Sequence, residues 1–153
     1  MIVTFCGHRD YIGDLNDEQL LLELFEKTIK GEAVQFYIGG YGNFDKFALK
    51  CAKLYKNTHP NATIVFITPY LNKWLNDRKS TIEACYDTTI YPPIENTPQN
   101  LAVLKRNEWM VGQADYVFAY VKAHYGGAYK TLLYAHKHNK PYTNLYQGDY
   151  KLY

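Results

Sequence analysis

Three glycine-bearing turns hold most of the chemistry open to this sequence: Gly7-His8-Arg9-Asp10, Gly39-Gly40-Tyr41-Gly42-Asn43 and Tyr125-Gly126-Gly127-Ala128. A glycine turn that feeds a helix leaves backbone N–H groups unpaired at the positive end of the helix dipole, which suits a phosphate or diphosphate. Arg9 offers such an anion a charge-assisted, bidentate contact, or else pairs with Asp10 or Asp14. His8 is a candidate for stacking, hydrogen bonding or proton transfer, although a structural hydrogen bond is the ordinary role of a lone histidine. Asp45 falls in a first helical turn, where it either caps backbone N–H groups or accepts from a ribose hydroxyl. Arg106 heads the trio Arg106-Asn107-Glu108, off the apolar stripe that contains Met110, and faces either the ligand crevice or solvent. His124, His136 and His138 lack a cysteine or carboxylate cluster at ligand spacing, so no bound metal is expected.

These turns need elements to position them. IVTFC at 2 to 6, VQFYI at 34 to 38, ATIVFI at 62 to 67, DYVFAYV at 115 to 121 and Tyr142 to Leu145 read as strands. Between them, helical spacing recurs in Leu21, Leu24, Phe25 and Ile29, with Asn16 and Gln19 as a capping box and Gly31 as the stop. Phe44, Phe47, Ala48, Cys51 and Tyr55 stripe a second helix. Thr97-Pro98 predicts the cap and first residue of a third, running to Gln113, and Ala128 to His138 a fourth. Residues 70 to 97 show no clear period, although Ala84 to Ile90 reads as an additional short strand. The alternation predicts one domain over residues 1 to 153. Its fold class is α/β, a three-layer Rossmann-like sandwich on a mainly parallel sheet of order 3-2-1-4-5. In such sheets ligands sit over the carboxyl ends where the order reverses, which here gathers the three turns.

Composition narrows the function classes. The 153 residues, 47% hydrophobic and 21% charged, describe an ordinary globular domain long enough to fold without a staple. A net charge of +2 without a Lys or Arg block makes nucleic acid an unlikely partner. Sixteen tyrosines supply area for stacking on a base or for a subunit contact. Three cysteines without CxxC spacing fit reduced thiols and a cytoplasmic location. No leader-like N-terminal segment and no membrane-spanning run of about 18 apolar residues are read from the sequence.

Four blocks carry a likeness to a known family: FCGHR at 5 to 9, IGGYGNFDKFA at 38 to 48, KRNEWMVGQADYVFAY at 105 to 120 and YGGAYKTLLYAHKHNKP at 125 to 141. In this order they resemble the SLOG superfamily, which groups Smf/DprA-type DNA-processing domains with LOG-type phosphoribohydrolases. The likeness is strongest to its small YpsA-like and YoqJ-like bacterial and phage members. The second block is similar to the GG-x-G-x-D-x-x-A turn, with Gly39, Gly40, Gly42, Asp45 and Ala48 on the pattern. The third resembles the R-K-x-x-M helix, so Arg106 stands at the active-site arginine and Asn107 replaces the lysine. The fourth resembles the P-G-G-x-G-T-x-x-E loop and brings Gly126, Gly127, Ala128, Tyr129 and Thr131 into the site. Tyr125 replaces its proline, and Leu133 or Tyr134 stands where its glutamate would be.

The resemblance implies binding of a nucleotide or nucleotide-sugar, such as an ADP-ribose-like signal, by a sensor, a regulator or a phage sponge acting in the host cytoplasm. It also implies a homodimer and no required cofactor beyond a bound nucleotide. The alternative is a LOG-like nucleotide N-glycosidase or phosphoribohydrolase, with Arg106 clamping phosphate and Asp45 or Glu108 as acid or base. Cleaving the glycosidic bond builds positive charge on the sugar, and the missing glutamate removes the carboxylate that would stabilise it. Single-stranded DNA binding of the DprA type, through Lys137, Lys140, Tyr142, Tyr146 and Tyr150, is a further alternative.

Overall fold

The apolar β-rich runs all join one sheet. The computed structural model describes residues 1–153. Strands β1 (Ile2–Gly7), β2 (Val34–Ile38), β3 (Ala62–Ile67), β4 (Thr88–Ile90), β5 (Tyr116–Tyr120) and β6 (Tyr142–Asn144) are parallel, in the order β4-β3-β2-β1-β5-β6. The expected order 3-2-1-4-5 survives as the five strands from β3 to β6. The additional short strand read at Ala84 to Ile90 is β4, which extends the sheet by one edge beside β3, but it is shorter than expected because Ala84 and Cys85 close a short helix, Lys79–Cys85. Asp87 explains the pairing: its carboxylate accepts from the Ile64 amide (2.8 Å) and from Lys56 Nζ (2.7 Å), pinning the start of β4 to β3.

Helices α1 (Leu15–Ile29) and α2 (Asn43–Thr58) cover one face, and α5 (Ala102–Gln113) and α6 (Gly126–Lys137) the other. The short α3 (Lys73–Asp77) and α4 (Lys79–Cys85) lie in the connection to β4. Side chains alternate across a strand, so one apolar run supplies both faces. Val3, Phe5, Phe36, Ile38, Ile64 and Phe118 meet Leu21, Phe25, Ile29, Ala48 and Tyr55 in the larger core. Cys6, Val117, Ala119 and Val121 meet Val111, Leu132 and Ala135 on the opposite face, where Tyr37, Val65 and Ile67 surround Met110. Three layers result. No helix is long and apolar enough to cross a membrane.

Helix starts differ from the sequence expectation in three places. Asp14, not Asn16, caps α1 by accepting from the Asp17 amide (2.9 Å), because Tyr11 holds Asp17 with a hydroxyl bond of 2.6 Å. Pro98 stays extended, and a 3-10 turn over Gln99–Leu101 precedes α5. Gly126 and Gly127 lie inside α6 rather than before it. The three cysteines are free, as expected, and burial pushes the Cys51 thiol up to about 12.

Phe25 is fully buried against Phe5, Phe36, Tyr55 and Phe118, with ring centroids 4.9 to 6.0 Å away. Truncating it removes a large apolar area and leaves a cavity. Phe25→Ala is expected to lower unfolding free energy by about 3–5 kcal/mol, read from urea denaturation.

Candidate functional site

Because all six strands run in one direction, their carboxyl ends share one edge of the sheet. β1 leads through α1 to β2 on one side, while β5 lies on its other side, so the order reverses between the ends of β1 and β5. A cavity of about 620 Å³ opens there, within the usual size of small-molecule sites. Its walls are Phe5 to Asp10 at the end of β1, Tyr41 and Asp45 around the start of α2, and Val103, Arg106 and Asn107 on α5. Lys122, Ala123, Tyr125, Gly126, Gly127, Ala128 and Thr131 complete it from the β5–α6 side.

The N-terminus of α6 is open. Tyr125 precedes it in an extended conformation without a side-chain cap, and its first turn contains no acidic residue. A Cβ on Gly126 or Gly127 would meet nothing within 4 Å, so a side chain at either position would stand in open space. Unpaired N–H groups at the positive end of a helix form an anion site. Lys122 and Arg9, both exposed, add charge to the same cavity.

Arg106 is the least expected finding. It is 1% exposed, which overturns the solvent-facing alternative and corrects the expectation that it leaves the apolar stripe of Met110: at spacing four from Ala102 and Met110 it shares their buried face. Nη1 donates to Gly39 O (2.8 Å) and Ile67 O (2.7 Å), and Nε donates to Asn107 Oδ1 (2.8 Å). Nη2 has no partner in the chain, and the side chain lines the cavity. The guanidinium lies against Gly39, where a Cβ would come within 2.7 Å of Cζ, so no larger residue fits. Burial pulls the Arg106 pKa down, while Asp45, Tyr70, Tyr86 and Tyr41 oppose that pull. Arginine remains charged in proteins, so this is a desolvated cation facing a cavity.

Asp45 is half-buried, and its Oδ2 accepts from the Tyr41 amide (2.8 Å), so its carboxylate holds the backbone of the turn. Burial raises its pKa to about 6, against the lowering pull of the Tyr41 amide and Arg106. Asn107 must turn its oxygen to Arg106 Nε, which leaves its NH₂ as a free donor at the cavity wall.

His8 takes the structural role: Nε2 accepts from the Lys122 amide (2.9 Å), which puts the proton of the neutral ring on Nδ1. Burial lowers its pKa, ahead of the opposing pull of Asp10, and Lys122 adds to the lowering. Arg9 pairs with neither Asp10 nor Asp14. It donates to Tyr41 Oη (2.9 Å), and its Cζ lies 5.2 Å from the Tyr41 ring centre.

Six expected site residues stand outside the lining. Gly39 and Gly40 form the bed beneath Arg106 and beside Phe66. Gly42 has φ 96, and a Cβ there would press on the Arg9 backbone at 2.8 Å; Asn43 follows it, donating its amide to Arg9 O (3.0 Å). Tyr129 turns toward His124, with centroids 5.8 Å apart, and Glu108 pairs with Lys105 (3.2 Å). Lys122, Ala123 and Val103 were missed. A lysine just past a strand end, on the carboxyl edge, was the available signal for Lys122.

The raised pKa of Asp45 has a measurable sign. Unfolded aspartate titrates near pH 3.9, so the native state holds the extra proton between about pH 4 and pH 6. This contribution to stability is complete below the unfolded value and is lost as pH rises through about 6. Wild-type stability should therefore fall relative to Asp45→Asn as pH is raised from about 4 to about 7, in urea melts of both proteins. A pH-independent difference would show that Asp45 titrates as an ordinary aspartate.

No protein-family model matches the sequence, and no curated protein does. Solved structures do. DNA processing protein A from Helicobacter pylori, described for its single-stranded DNA binding mode, is 18% identical with a TM-score of 0.57 over 93% of this chain and 63% of that one. DNA processing protein A from Streptococcus pneumoniae is 14% identical, TM-score 0.59, over 92% and 48%. The molybdenum cofactor carrier protein of Chlamydomonas reinhardtii is 17% identical, TM-score 0.52, over 92% and 73%. The chain thus spans between about half and two thirds of the length of the two DNA processing proteins. At these identities the likeness is one of fold, and the chain has the Rossmann-like fold of DNA processing protein A and the cofactor carrier, in line with the SLOG resemblance of its four blocks.

Proposed function

We propose that this chain binds a nucleotide or nucleotide-sugar at the carboxyl edge of its sheet and holds it without cleaving it. The carrying observation is that a buried arginine with one unpartnered nitrogen and an uncapped helix N-terminus face the same cavity. Phosphate sits on the α6 amides with Lys122 and Arg9. The sugar lies among Asp45, Arg106 and Asn107, with a base against the exposed Tyr41 or Tyr125 rings. The donors outnumber the acceptors in this lining, which favours an oxygen-rich anion.

Retention is favoured over hydrolysis because the glutamate of the family's glycine loop is missing, with Leu133 or Tyr134 in its place, and Glu108 is engaged by Lys105 outside the cavity; Asp45, the carboxylate beside the sugar, uses its Oδ2 to hold the Tyr41 amide. An ADP-ribose-like ligand, held by a sensor, regulator or phage sponge, is the finer form of this proposal and rests on the SLOG resemblance. Tight binding without turnover is what such a role needs. A homodimer through the tyrosine-bearing face of α6 belongs to it too, and a light-scattering mass of one chain would remove that part.

Single-stranded DNA is the second reading. The likeness to the Helicobacter pylori protein favours it, as do Tyr41 and Tyr125, 46% and 79% exposed, beside Arg9 and Lys122.

Native mass spectrometry of the purified chain, followed by calorimetry with AMP, ADP, ADP-ribose and a thymidine oligonucleotide, tests both. One nucleotide should bind and be recovered intact by chromatography. Arg9→Ala should weaken it at least about tenfold through loss of a charged donor, and Gly127→Val should block the anion site. Failure of every nucleotide to bind overturns the proposal, and salt-sensitive binding of the oligonucleotide alone moves the site to the second reading. Release of free base would make the chain a hydrolase.

A further inference from the structure

After β6 the chain turns back over the loop that follows β5. Asn144 donates Nδ2 to Val121 O (2.8 Å) and accepts from the Val121 amide at Oδ1 (3.0 Å). Tyr150 Oη donates to Ala123 O (2.8 Å), and its ring stacks on His124 with centroids 4.8 Å apart. From the opposite side His8 Nε2 accepts the Lys122 amide. Side chains from β6, from the segment beyond it and from the β1 loop therefore hold the main chain of residues 121–123. This loop has no regular structure of its own, yet it carries Lys122 and Ala123 into the cavity and determines where α6 begins.

We propose that Tyr150 is a positioning residue for the anion site: by tying down Ala123 it brings Lys122 and the open N-terminus of α6 onto one anion. This inference rests on the nucleotide-binding reading of the cavity. Tyr150 does not line the cavity, so it acts only through the loop. Nothing in Lys122-Ala123-His124-Tyr125 favours a particular turn, and an untied loop would have to be ordered at the moment of binding, at a cost in affinity. Tyr153 provides an internal control. Its hydroxyl bonds His136 Nε2 (3.1 Å), from the same segment and to the same helix, but away from the loop.

The test compares wild type, Tyr150→Phe and Tyr153→Phe by calorimetry with AMP, ADP and ADP-ribose, and by amide hydrogen exchange without ligand. Tyr150→Phe keeps the ring on His124 and loses one hydrogen bond, so affinity should fall about three- to tenfold. Exchange at residues 122–126 should rise while the melting temperature stays close to wild type. Tyr153→Phe should bind as wild type does. Unchanged affinity in Tyr150→Phe, or an equal loss in both variants, overturns the positioning role and leaves the nucleotide reading standing. A wild-type chain that binds none of the three nucleotides removes both.

Discussion

The arrangement turns on one buried cation. Arg106 gives up water everywhere except at its cavity side, and such a charge is tolerated only where fixed dipoles and a counter-charge replace the lost hydration. The carbonyls of Gly39, just past the end of β2, and of Ile67, the last residue of β3, do this. Gly39 must be glycine for the guanidinium to lie so close. Asp45 provides the counter-charge only in part, since its own burial moves its titration close to neutrality. The compensation is left incomplete on the side that faces the cavity, where Nη2 has no partner in the chain.

The remaining walls are held by side chains reaching to main chain rather than by regular structure. His8 ties the β1 loop to Lys122, Asp45 ties Tyr41, and Asn144 and Tyr150 tie the loop after β5. Such bonds fix strand-end loops that have no regular structure of their own, and loops already ordered lose less entropy when a site is occupied. The cavity gathers three cations, Arg9, Arg106 and Lys122, with two carboxylates, Asp10 and Asp45, so its local charge balance is only slightly positive, like that of the whole chain at +2.

The likeness to DNA processing protein A and the molybdenum cofactor carrier is one of fold, and a fold does not fix a function, so function has to be read from the residues of the site. Here Arg9, Arg106 and Lys122 line the crevice with Asp10 and Asp45, and the glutamate of the glycine loop that the SLOG resemblance would place there is replaced by Leu133 or Tyr134. Binding and turnover are separable properties of such a crevice, because the first needs donors at fixed positions and the second needs a group that responds to charge developing on the sugar.

Strand positions, the two-sided core and the three glycine turns were legible in the sequence because they are local: apolar runs of period two or 3.6, and glycines where a strand meets a helix. From these the parallel sheet and its ligand edge followed. Only the tertiary structure decided which turn residues face the cavity. Arg106 finds its acceptors 67 and 39 residues away; its spacing of four from Ala102 and Met110 puts it on the buried face of α5, but only those distant carbonyls show how a charge is accommodated there. Tyr129 and Glu108 look as eligible as their neighbours, yet the phase of α6 and the pairing with Lys105 turn them elsewhere. The edge strand β4 likewise depends on Asp87 meeting Ile64 and Lys56, partners far from it in the chain. Periodicity reports what one segment prefers by itself, whereas the direction of a side chain at a site is set by acceptors and charges contributed by other segments.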